Sequence, residues 1–382
     1  MDPKLPLAGV RVLDMAQFLP GSLCTKILAR FGAEVIKVEN PLGGDNFRHY
    51  GPKVDGVGVF FQTINQGKKS ITLDIKTEED AVAIKRLMLS VDIVVENFRP
   101  GVLAQKGLGY EDICQDNPKI IYCSLTAFGQ NGPRRDEPAH DLNILSIAGI
   151  LELLGNNNTP PITPSVQMVG VGAALQAAIA IFAALLQARK TGEGTYIDVG
   201  LLDCVSPFAL MTVAPVIAGK KEPQRGESFL GGGSACYNVY ETRDGRYFSI
   251  GCIEPKYWVN FCKAIGKEDF IRDLFAPTER QREMIAVINE ITKKKTLAEW
   301  VGVLDQTDTC YAPLNTLSEM LGDEQVKCRG VWDVDDSQLL PVNADFPVKF
   351  SNMGMVKGMK APALGEHTSA ILERADCSPG KE

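Results

Sequence analysis

The alternation of apolar and polar positions near the start of the chain predicts a strand, a helix and a second strand. The apolar runs Val10–Leu13 and Ala33–Val38 have the length of strands, and an amphipathic run at Leu23–Arg30 separates them. Two further short apolar runs, Asp92–Val95 and Ile120–Leu125, alternate with helical patterns. Strands and helices that alternate in this way predict a mostly parallel sheet with helices on both faces.

Helical patterns separate and follow these strands. Glu78–Leu89 has helical periodicity, and Thr77 is its expected N-cap. Residues 169–186 are apolar except for Gln176 and are rich in glycine and alanine. Because this run is short for a membrane span and stands alone, we expect a helix buried in a large core and no contact with a membrane. Gly365–Arg374 is predicted to form a terminal helix that packs back on the first domain.

The organisation changes after a run of proline and glycine residues between positions 215 and 233. Two strand-like segments follow, Ala235–Glu241 and Arg246–Ile250, and Asp244 with Gly245 is expected to join them in a hairpin-type turn. Helical patterns come next. We therefore predict a smaller α+β domain at residues 226–328.

Composition places the chain among ordinary globular proteins. Hydrophobic residues make up 45% of the 382 residues and charged residues 23%, close to the averages for such proteins. The net charge of −7 provides no basic surface for nucleic acid, so we expect no nucleic-acid partner. An anionic ligand would need a local cluster of Lys and Arg.

The cysteines and histidines predict neither metal binding nor disulfides. The ten cysteines include no C-x-x-C pair, and the chain has three histidines, so we expect no structural zinc and no other metal site. The first residues lack the pattern of a secretory signal. We therefore expect a cytoplasmic, reducing location in which the cysteines remain thiols.

The first turn between strand and helix does not carry a dinucleotide signature. Glu39 ends the second predicted strand, where dinucleotide-binding folds place an acid for the ribose. However, the turn DMAQFLPGS at residues 14–22 contains no G-x-G-x-x-G sequence. An NAD site is therefore not expected.

Nine segments, in order along nearly the whole chain, resemble one protein family. They are LAGVRVLDMAQFLPG, FGAEVIKVENPLGGD, NQGKKSITLDI, VENFRPGVLAQKGLGY, CSLTAFGQNGP, AHDLNILSIAGIL, GEGTYIDVGLLD, GRYFSIGCIEPKYW and PALGEHTSAIL. Each alone is weakly specific, but the ordered set is similar to the family III CoA-transferases and 2-methylacyl-CoA racemases. AHDLN and IEPKYW resemble the racemase branch, whereas CoA transfer is the commoner activity of the family.

The resemblance implies an α/β fold with two domains. A Rossmann-like large domain that binds CoA is expected from both chain ends, residues 1–225 with 329–382, and the smaller α+β domain at 226–328 is inserted between them. The resemblance further implies an interlocked dimer, in which two chains are threaded through one another.

Coenzyme A carries several phosphates, so its site requires cations and backbone N–H donors beside an apolar slot. Lys68 and Lys69 follow a predicted turn and are candidates for such cations. By resemblance, six residues fall at or near positions that line the nucleotide and pantetheine channel: Lys37, Lys69, Asn97, Phe98, Arg99 and Lys106. The alternative for the cations is a solvated charged surface.

The resemblance also identifies a second group, His140, Asp141 and Glu254. In the racemase branch the matching histidine is one of two acid/base groups that remove and return the α-proton, a role suited to the pKa of imidazole. The glutamate of the IEP sequence, here Glu254, lies near that histidine in the family. Asp141 is expected to orient or pair with a neighbouring group.

Val171 departs from the family pattern. The equivalent segment of the family carries an aspartate, which attacks the acyl-CoA thioester in transferases and transfers a proton in racemases. Valine has neither a nucleophile nor an exchangeable proton. No Asp or Glu occurs between Glu152 and Glu193, so a shifted alignment does not restore the carboxylate.

Three hypotheses follow for the function. In the first, the chain is the nucleophile-lacking subunit of a two-chain CoA-transferase for dicarboxylic or aromatic acids such as benzylsuccinate, and a paralogous partner supplies the aspartate. In the second, it acts alone, by direct transfer or as a racemase or epimerase that uses His140. In the third, it is a non-catalytic CoA-binding subunit. The expected ligands are acyl-CoA and carboxylic acids, and the expected protein partner is a paralogue or a second copy.

Overall fold

The computed structural model describes residues 5–156, 158–332, 346–356 and 359–376. The chain divides into two compact units. The first unit contains residues 1–148, 165–207 and 324–382, and the second contains residues 149–164 and 208–323. The assignment of a CoA-binding domain with an inserted domain at 226–328 stays a prediction.

Eleven strands form three sheets within the described residues. They are β1 (Arg11–Asp14), β2 (Glu34–Glu39), β3 (Lys53–Val54), β4 (Val57–Gly58), β5 (Lys69–Thr72), β6 (Ile93–Glu96), β7 (Ile121–Thr126), β8 (Thr195–Gly200), β9 (Tyr237–Glu241), β10 (Tyr247–Gly251) and β11 (Tyr311–Pro313). The central sheet has the order β5-β2-β1-β6-β7-β8, and all its neighbouring strands are parallel. Numbered along the chain, its strands follow the doubly wound Rossmann order 3-2-1-4-5-6. The predicted parallel α/β sheet is confirmed.

The helices of the described residues connect these strands or follow them. They are α1 (Leu19–Arg30), α2 (Val59–Ile64), α3 (Glu78–Leu89), α4 (Tyr110–Ile113), α5 (Asp141–Ile147), α6 (Met168–Thr191), α7 (Leu201–Val205), α8 (Leu210–Ile217), α9 (Pro255–Ala264), α10 (Thr278–Thr292), α11 (Leu297–Leu304), α12 (Leu317–Gly322), α13 (Glu324–Arg329) and α14 (Thr368–Asp376). Helix α3 has the predicted bounds, and Thr77 Oγ1 accepts a hydrogen bond from Asp80 N at 3.2 Å, as expected of its N-cap.

Alternate side chains along the central strands belong to two different apolar layers, one on each face of the sheet. Val12 and Val35 belong to one core cluster with α1 and α6, whereas the adjacent Leu13 and Ile36 belong to another with α3 and α14. Successive residues of a strand face opposite sides of a sheet. Both faces of the sheet are therefore covered, which explains why its strands are almost continuously apolar.

Helix α6 is apolar along its length but buried on one side. In its most apolar stretch, 56% of the residues are buried, where the helix packs against α1, β7 and β8. Val171, Ile179 and Leu186 on the opposite side are 41%, 67% and 61% exposed. The helix is long and apolar enough to cross a membrane, a property that core helices of soluble proteins share. We expected this helix to be buried in a large core. In the single chain, one side of it is buried and the other side is exposed.

The end of the chain returns to β5 in the first unit. Gly365 N and His367 N donate hydrogen bonds to Ser70, to its Oγ and its carbonyl oxygen respectively, each at 2.9 Å. Ile371 of α14 is 3% exposed within the core. The predicted terminal helix and its packing on the first unit are confirmed.

The second unit contains an antiparallel sheet in the order β11-β10-β9. The predicted hairpin joins β9 and β10, and its turn is closed by a hydrogen bond from Thr242 N to Arg246 O at 2.9 Å. Helices α9, α10 and α11 cover this sheet with Trp258, Phe261 and Trp300 in a separate core. The second unit therefore has a hydrophobic core of its own.

A cluster of buried charges lies beneath the carboxyl ends of β1 and β2. Lys68 Nζ is 2.8 Å from Asp14 Oδ2, and Lys37 Nζ is 3.9 Å from the same oxygen and 3.0 Å from Asp45 Oδ2. All four side chains have at most 1% of their surface exposed. Beside them, Glu39 accepts two hydrogen bonds of 2.7 Å from the buried Arg48 guanidinium. We call Asp14, Lys37, Asp45 and Lys68 the charge cluster.

Attraction between opposite charges favours the ionised forms of Asp14 and Lys37 in the charge cluster. Burial by itself would raise the pKa of Asp14, but Lys37 and Lys68 outweigh it and hold this pKa below its usual value. Burial lowers the pKa of Lys68 to about 8, in spite of Asp14. Burial also works against the ammonium of Lys37, but Asp14, Asp45 and Glu39 raise its pKa above the usual value. Removal of one member therefore leaves an opposite charge buried without compensation.

We predict that Asp14→Asn destabilises the protein by about 3–5 kcal/mol, because it leaves Lys68 without its carboxylate partner inside the protein. Chemical denaturation gives the free energy of unfolding. The matched control is Arg134→Ala, which breaks an ion pair with Glu137 whose side chains are half exposed and should cost less than about 1 kcal/mol. Equal effects of the two substitutions would contradict the structural role of the charge cluster.

Candidate active site

The order of the central sheet reverses between β1 and β6, because the chain continues from β1 to β2 on one side and from β6 to β7 on the other. Ligands of doubly wound folds bind at the carboxyl ends of the strands at such a point. The loops that follow β1 and β6 meet there. Asn97 Oδ1 accepts a hydrogen bond from Gln17 N at 2.9 Å, and Asn97 Nδ2 donates one to Gln17 O at 2.7 Å. These hydrogen bonds join the two loops to each other at the expected position of a ligand site.

The loop after β1, residues 15–18, is fixed on several sides. Met15 N donates to Val95 O at 2.8 Å, and Ala16 N donates to Asp14 Oδ1 at 3.0 Å. Lys37 Nζ donates to Ala16 O at 2.6 Å. Lys37 and Asn97, which the sequence predicts beside CoA, thus hold this loop in place. The ammonium of Lys37 has almost no exposed surface, so its direct contact with a ligand stays a prediction.

Phe18 ends this loop in a conformation that L-residues rarely adopt. Its φ is 61° and its ψ is −161°, a region occupied almost exclusively by glycine and costing about 1–3 kcal/mol for other residues. The edge of its ring meets Phe47 at a centroid distance of 5.3 Å and His140 at 6.3 Å. The hydrogen bonds on both sides of the loop hold this strained conformation and place an aromatic ring beside the predicted histidine.

His140, Asp141 and Val171 come together in the first unit. His140 is the exposed N-cap residue of α5, and Asp141 begins that helix. Asp141 Oδ1 accepts a hydrogen bond of 2.9 Å from Gly170 N in the first turn of α6. Val171 follows directly, with 41% of its surface exposed. Two residues of the predicted group, His140 and Asp141, therefore lie at the N-terminus of the 24-residue helix α6, beside Val171.

The N-terminus of α6 favours negative charge but has no acidic side chain in its first turn. Gly170 lacks a side chain, and a Cβ atom added there would lie 2.9 Å from Leu19 Cδ2. Leu19 of α1 thus occupies the space beside Gly170. The neighbouring carboxylate, Asp141, already accepts a backbone hydrogen bond. In the described structure, the first turn of α6 offers no nucleophile.

The remaining predicted residues lie elsewhere. Lys69 pairs with Glu34 at the amino end of the parallel strands, the edge opposite to the loops. Lys106 is exposed on a short 3-10 turn after β6. Glu254 belongs to the second unit, where it is exposed at the N-cap of α9. Its predicted proximity to His140 stays a prediction.

Arg99 and Glu96 line a cavity of about 280 Å³ beside the loop after β6. Three tyrosines, Tyr110, Tyr122 and Tyr196, border the same cavity. Glu96 Oε2 accepts a hydrogen bond from Phe98 N at 2.7 Å, and burial raises the pKa of Glu96 to about 7. Sequence reasoning identified Arg99 but missed Glu96. The signal was a glutamate directly after the apolar run of β6.

Among the described residues, the cysteines and other side chains that can bind metals form no metal site or disulfide. No group of three or more His, Cys, Asp or Glu side chains is placed to hold a metal ion there. The nine described cysteines are free thiols, and six of them are buried: Cys24, Cys123, Cys204, Cys236, Cys252 and Cys262. Burial raises the pKa of each of these six thiols. They therefore pack as small apolar groups.

We predict that Glu96→Gln makes the protein more stable than wild type above pH 7 and equally stable near pH 4. The pKa of Glu96 is 4.5 in an unfolded chain and about 7 in the folded protein, so wild type loses stability as the pH rises between these values. The difference at pH 8 is expected to reach up to about 3 kcal/mol. Denaturation curves at pH 5, 6, 7 and 8 measure it. Parallel pH profiles of the two proteins would exclude a buried titrating Glu96.

We predict that Asp141→Ala costs about 1–2 kcal/mol of stability, because Gly170 N loses its acceptor at the start of α6. Asp141→Asn is the matched control, since its amide oxygen can accept the same hydrogen bond. Thermal unfolding of the two variants provides the comparison. If both lose the same stability, Asp141 does not act as the cap of α6.

Comparison with known proteins identifies the family. The sequence profile of CoA-transferase family III matches residues 7–368. Mouse succinyl-CoA:glutarate CoA-transferase is 33% identical, over 97% of this chain and 87% of its own. Mouse alpha-methylacyl-CoA racemase is 31% identical, over 96% and 92%. The beta subunit of succinyl-CoA–L-malate CoA-transferase from Chloroflexus aurantiacus is 31% identical, over 97% and 94%.

A solved structure shares the fold. The crystal structure of a CAIB/BAIF family protein from Brucella suis superposes with a TM-score of 0.85 at 31% identity, covering 97% of this chain and 99% of that one. The family profile and these relatives agree with the resemblance carried by the nine sequence segments. The chain therefore belongs to CoA-transferase family III.

Proposed function

We propose that this chain is one subunit of a CoA-transferase that moves CoA from an acyl-CoA donor to a dicarboxylic or aromatic acid, with the nucleophilic aspartate on a paralogous partner chain. The observation that carries this proposal is the first turn of α6. It has His140 and Asp141 beside it, but it presents Val171 where the proposed chemistry requires a carboxylate.

The relatives support both parts of the proposal. Succinyl-CoA:glutarate CoA-transferase is named for transfer between dicarboxylic acids. The relative from Chloroflexus is named as the beta subunit of a succinyl-CoA–L-malate CoA-transferase, so that enzyme has more than one kind of chain. A division of labour between two related chains would let this chain lose its nucleophile without loss of the joint activity. We extend the proposal to an interlocked dimer of the two chains in the cytoplasm.

Each part of the first unit has a role in this proposal. The loops after β1 and β6 would contact the thioester and pantetheine of CoA, since they meet at the carboxyl edge of the sheet. Arg99 and Lys106 would meet the phosphates, and the charge cluster would hold the loop after β1 in position. The partner's aspartate would attack the acyl carbonyl of the donor thioester, forming an anhydride and releasing CoA as the thiolate. The thiolate would then attack the aspartyl carbonyl, which releases the donor acid and leaves CoA on the aspartate, and the acceptor acid would take the CoA by the reverse steps.

A second candidate is a racemase or epimerase. Its support is the similarity to alpha-methylacyl-CoA racemase and the exposed ring of His140. A proton removed from the α-carbon of an acyl-CoA by His140 would be replaced by solvent deuterium in heavy water. A non-catalytic CoA-binding subunit would bind CoA but show neither exchange nor transfer.

We predict that the purified chain alone transfers CoA from succinyl-CoA to carboxylic acids at a rate at least about 10³ lower than the complex with a paralogue that carries the aspartate. Transfer is followed by chromatography of the CoA thioesters. Substitution of that aspartate by Asn in the partner should abolish transfer, whereas Val171→Asn in this chain should leave the rate of the complex within about twofold.

Two outcomes would contradict the proposal. Full activity of the chain alone would show that it needs no partner, and unchanged activity of the partner after removal of this chain would show that it is not a subunit. Deuterium exchange at the α-carbon of a 2-methylacyl-CoA by the chain alone, lost in His140→Asn, would favour the racemase.

A further inference from the structure

Four aromatic side chains from three segments surround the end of the loop after β1. The ring of Phe18 lies 5.3 Å from Phe47, 6.4 Å from Tyr50 and 6.3 Å from His140, measured between centroids. Tyr50 is 53% exposed, and His140 is also exposed. We call these four side chains the aromatic wall. It belongs entirely to the first unit and presents ring surface to its surroundings.

The aromatic wall borders the N-terminus of α6. His140 of the wall precedes Asp141, which binds Gly170 N, and Leu19 follows Phe18 and packs beside Gly170. An acyl group whose thioester carbonyl lies near Val171 would therefore extend along these rings. The wall is next to the position where the family chemistry takes place, so its natural occupant is the acyl portion of the ligand.

The strained backbone of Phe18 indicates that its ring has a role in binding. A glycine would adopt φ 61° and ψ −161° without strain, whereas Phe18 adopts them at a cost in stability. The hydrogen bonds that enforce this conformation run through Ala16, Gln17 and Asn97 and do not involve the ring. Strain of this kind is characteristic of residues placed for binding or catalysis.

Three cations of the first unit, Arg48, Lys37 and Lys68, are committed to other partners. Arg48 follows Phe47 in the chain, but its guanidinium donates two hydrogen bonds to Glu39 and lies 3.6 Å from the centre of the Phe61 ring. Lys37 and Lys68 are buried in the charge cluster. The second carboxylate of an aliphatic dicarboxylate requires a cation or several donors. An aryl group instead gains edge-to-face and offset contacts with rings.

We propose that the aromatic wall is a specificity element that selects CoA thioesters of aryl acids over those of aliphatic dicarboxylic acids. This inference rests on the proposed function, because it assumes that the chain binds CoA thioesters. It deepens that function by naming the substrate class, and it assigns Phe18 as the specificity-determining residue.

The test measures ligand binding by calorimetry. The sample is the complex of the full-length chain with its paralogous partner, whose aspartate is replaced by Asn so that no ligand turns over. The probes are CoA, phenylacetyl-CoA and succinyl-CoA, and the corresponding thioesters of pantetheine, which lack the nucleotide. We expect phenylacetyl thioesters to bind about tenfold more tightly than succinyl thioesters, the scale of one or two aromatic contacts.

Phe18→Gly is the informative variant. It removes the ring and relieves the backbone, so we expect about a tenfold loss of affinity for phenylacetyl thioesters, a smaller loss for succinyl thioesters and a melting temperature equal to or above that of wild type. Phe275→Ala, which removes a ring in the second unit that is 68% exposed, is the control and should change none of these affinities.

The outcomes separate this inference from the proposed function. If phenylacetyl-pantetheine binds but no CoA thioester does, the wall is supported and the CoA function fails. Equal binding of phenylacetyl and succinyl thioesters, no binding of phenylacetyl-pantetheine, or an unchanged preference in Phe18→Gly overturns the wall. Each of these results leaves the transfer assay with the paralogous partner as an independent test of the proposed function.

Discussion

The contact between Asp14 and the ammonium groups of Lys37 and Lys68 is the constraint on which the rest of the first unit depends. Asp14 ends β1, Lys37 lies in β2 and Lys68 directly precedes β5, and their charges are withdrawn from water together. Burial of any one of these ions alone would be strongly unfavourable, so each requires the others. The cluster therefore holds the end of β1, Lys37 of β2 and the turn before β5 in one arrangement.

That arrangement reaches the candidate site through the backbone. Lys37 binds Ala16 O, Asp14 binds Ala16 N, and Asn97 binds both polar backbone groups of Gln17. A loop held so completely can maintain Phe18 in a conformation that the residue would otherwise leave. The buried Lys37 thus acts on the candidate site by positioning the loop.

The candidate site combines an ordered backbone with a first turn of α6 that has no acidic side chain. Asp141 caps α6, and the partial positive charge at the start of that helix remains available to an anion. At the same place Gly170 has no side chain, and Leu19 fills the adjacent space. Val171, the next residue, is 41% exposed and carries no acidic group. The N-terminus of α6 is therefore bound by Asp141 but has no acidic side chain in its own first turn.

The sequence by itself determined the elements that depend on local pattern. The first strand, helix and second strand, the helix Glu78–Leu89 with its cap and the alternation along the central strands follow from periodicity, and the ordered motifs identified the family. Tertiary structure alone decided what each polar residue does. Lys37 and Lys69 look alike in sequence, yet one is buried in the charge cluster and the other pairs with Glu34 at the opposite edge of the sheet. The pKa of Glu96 and the strain at Phe18 could not be read from the chain, because both arise from burial and from hydrogen bonds between segments that are far apart in sequence.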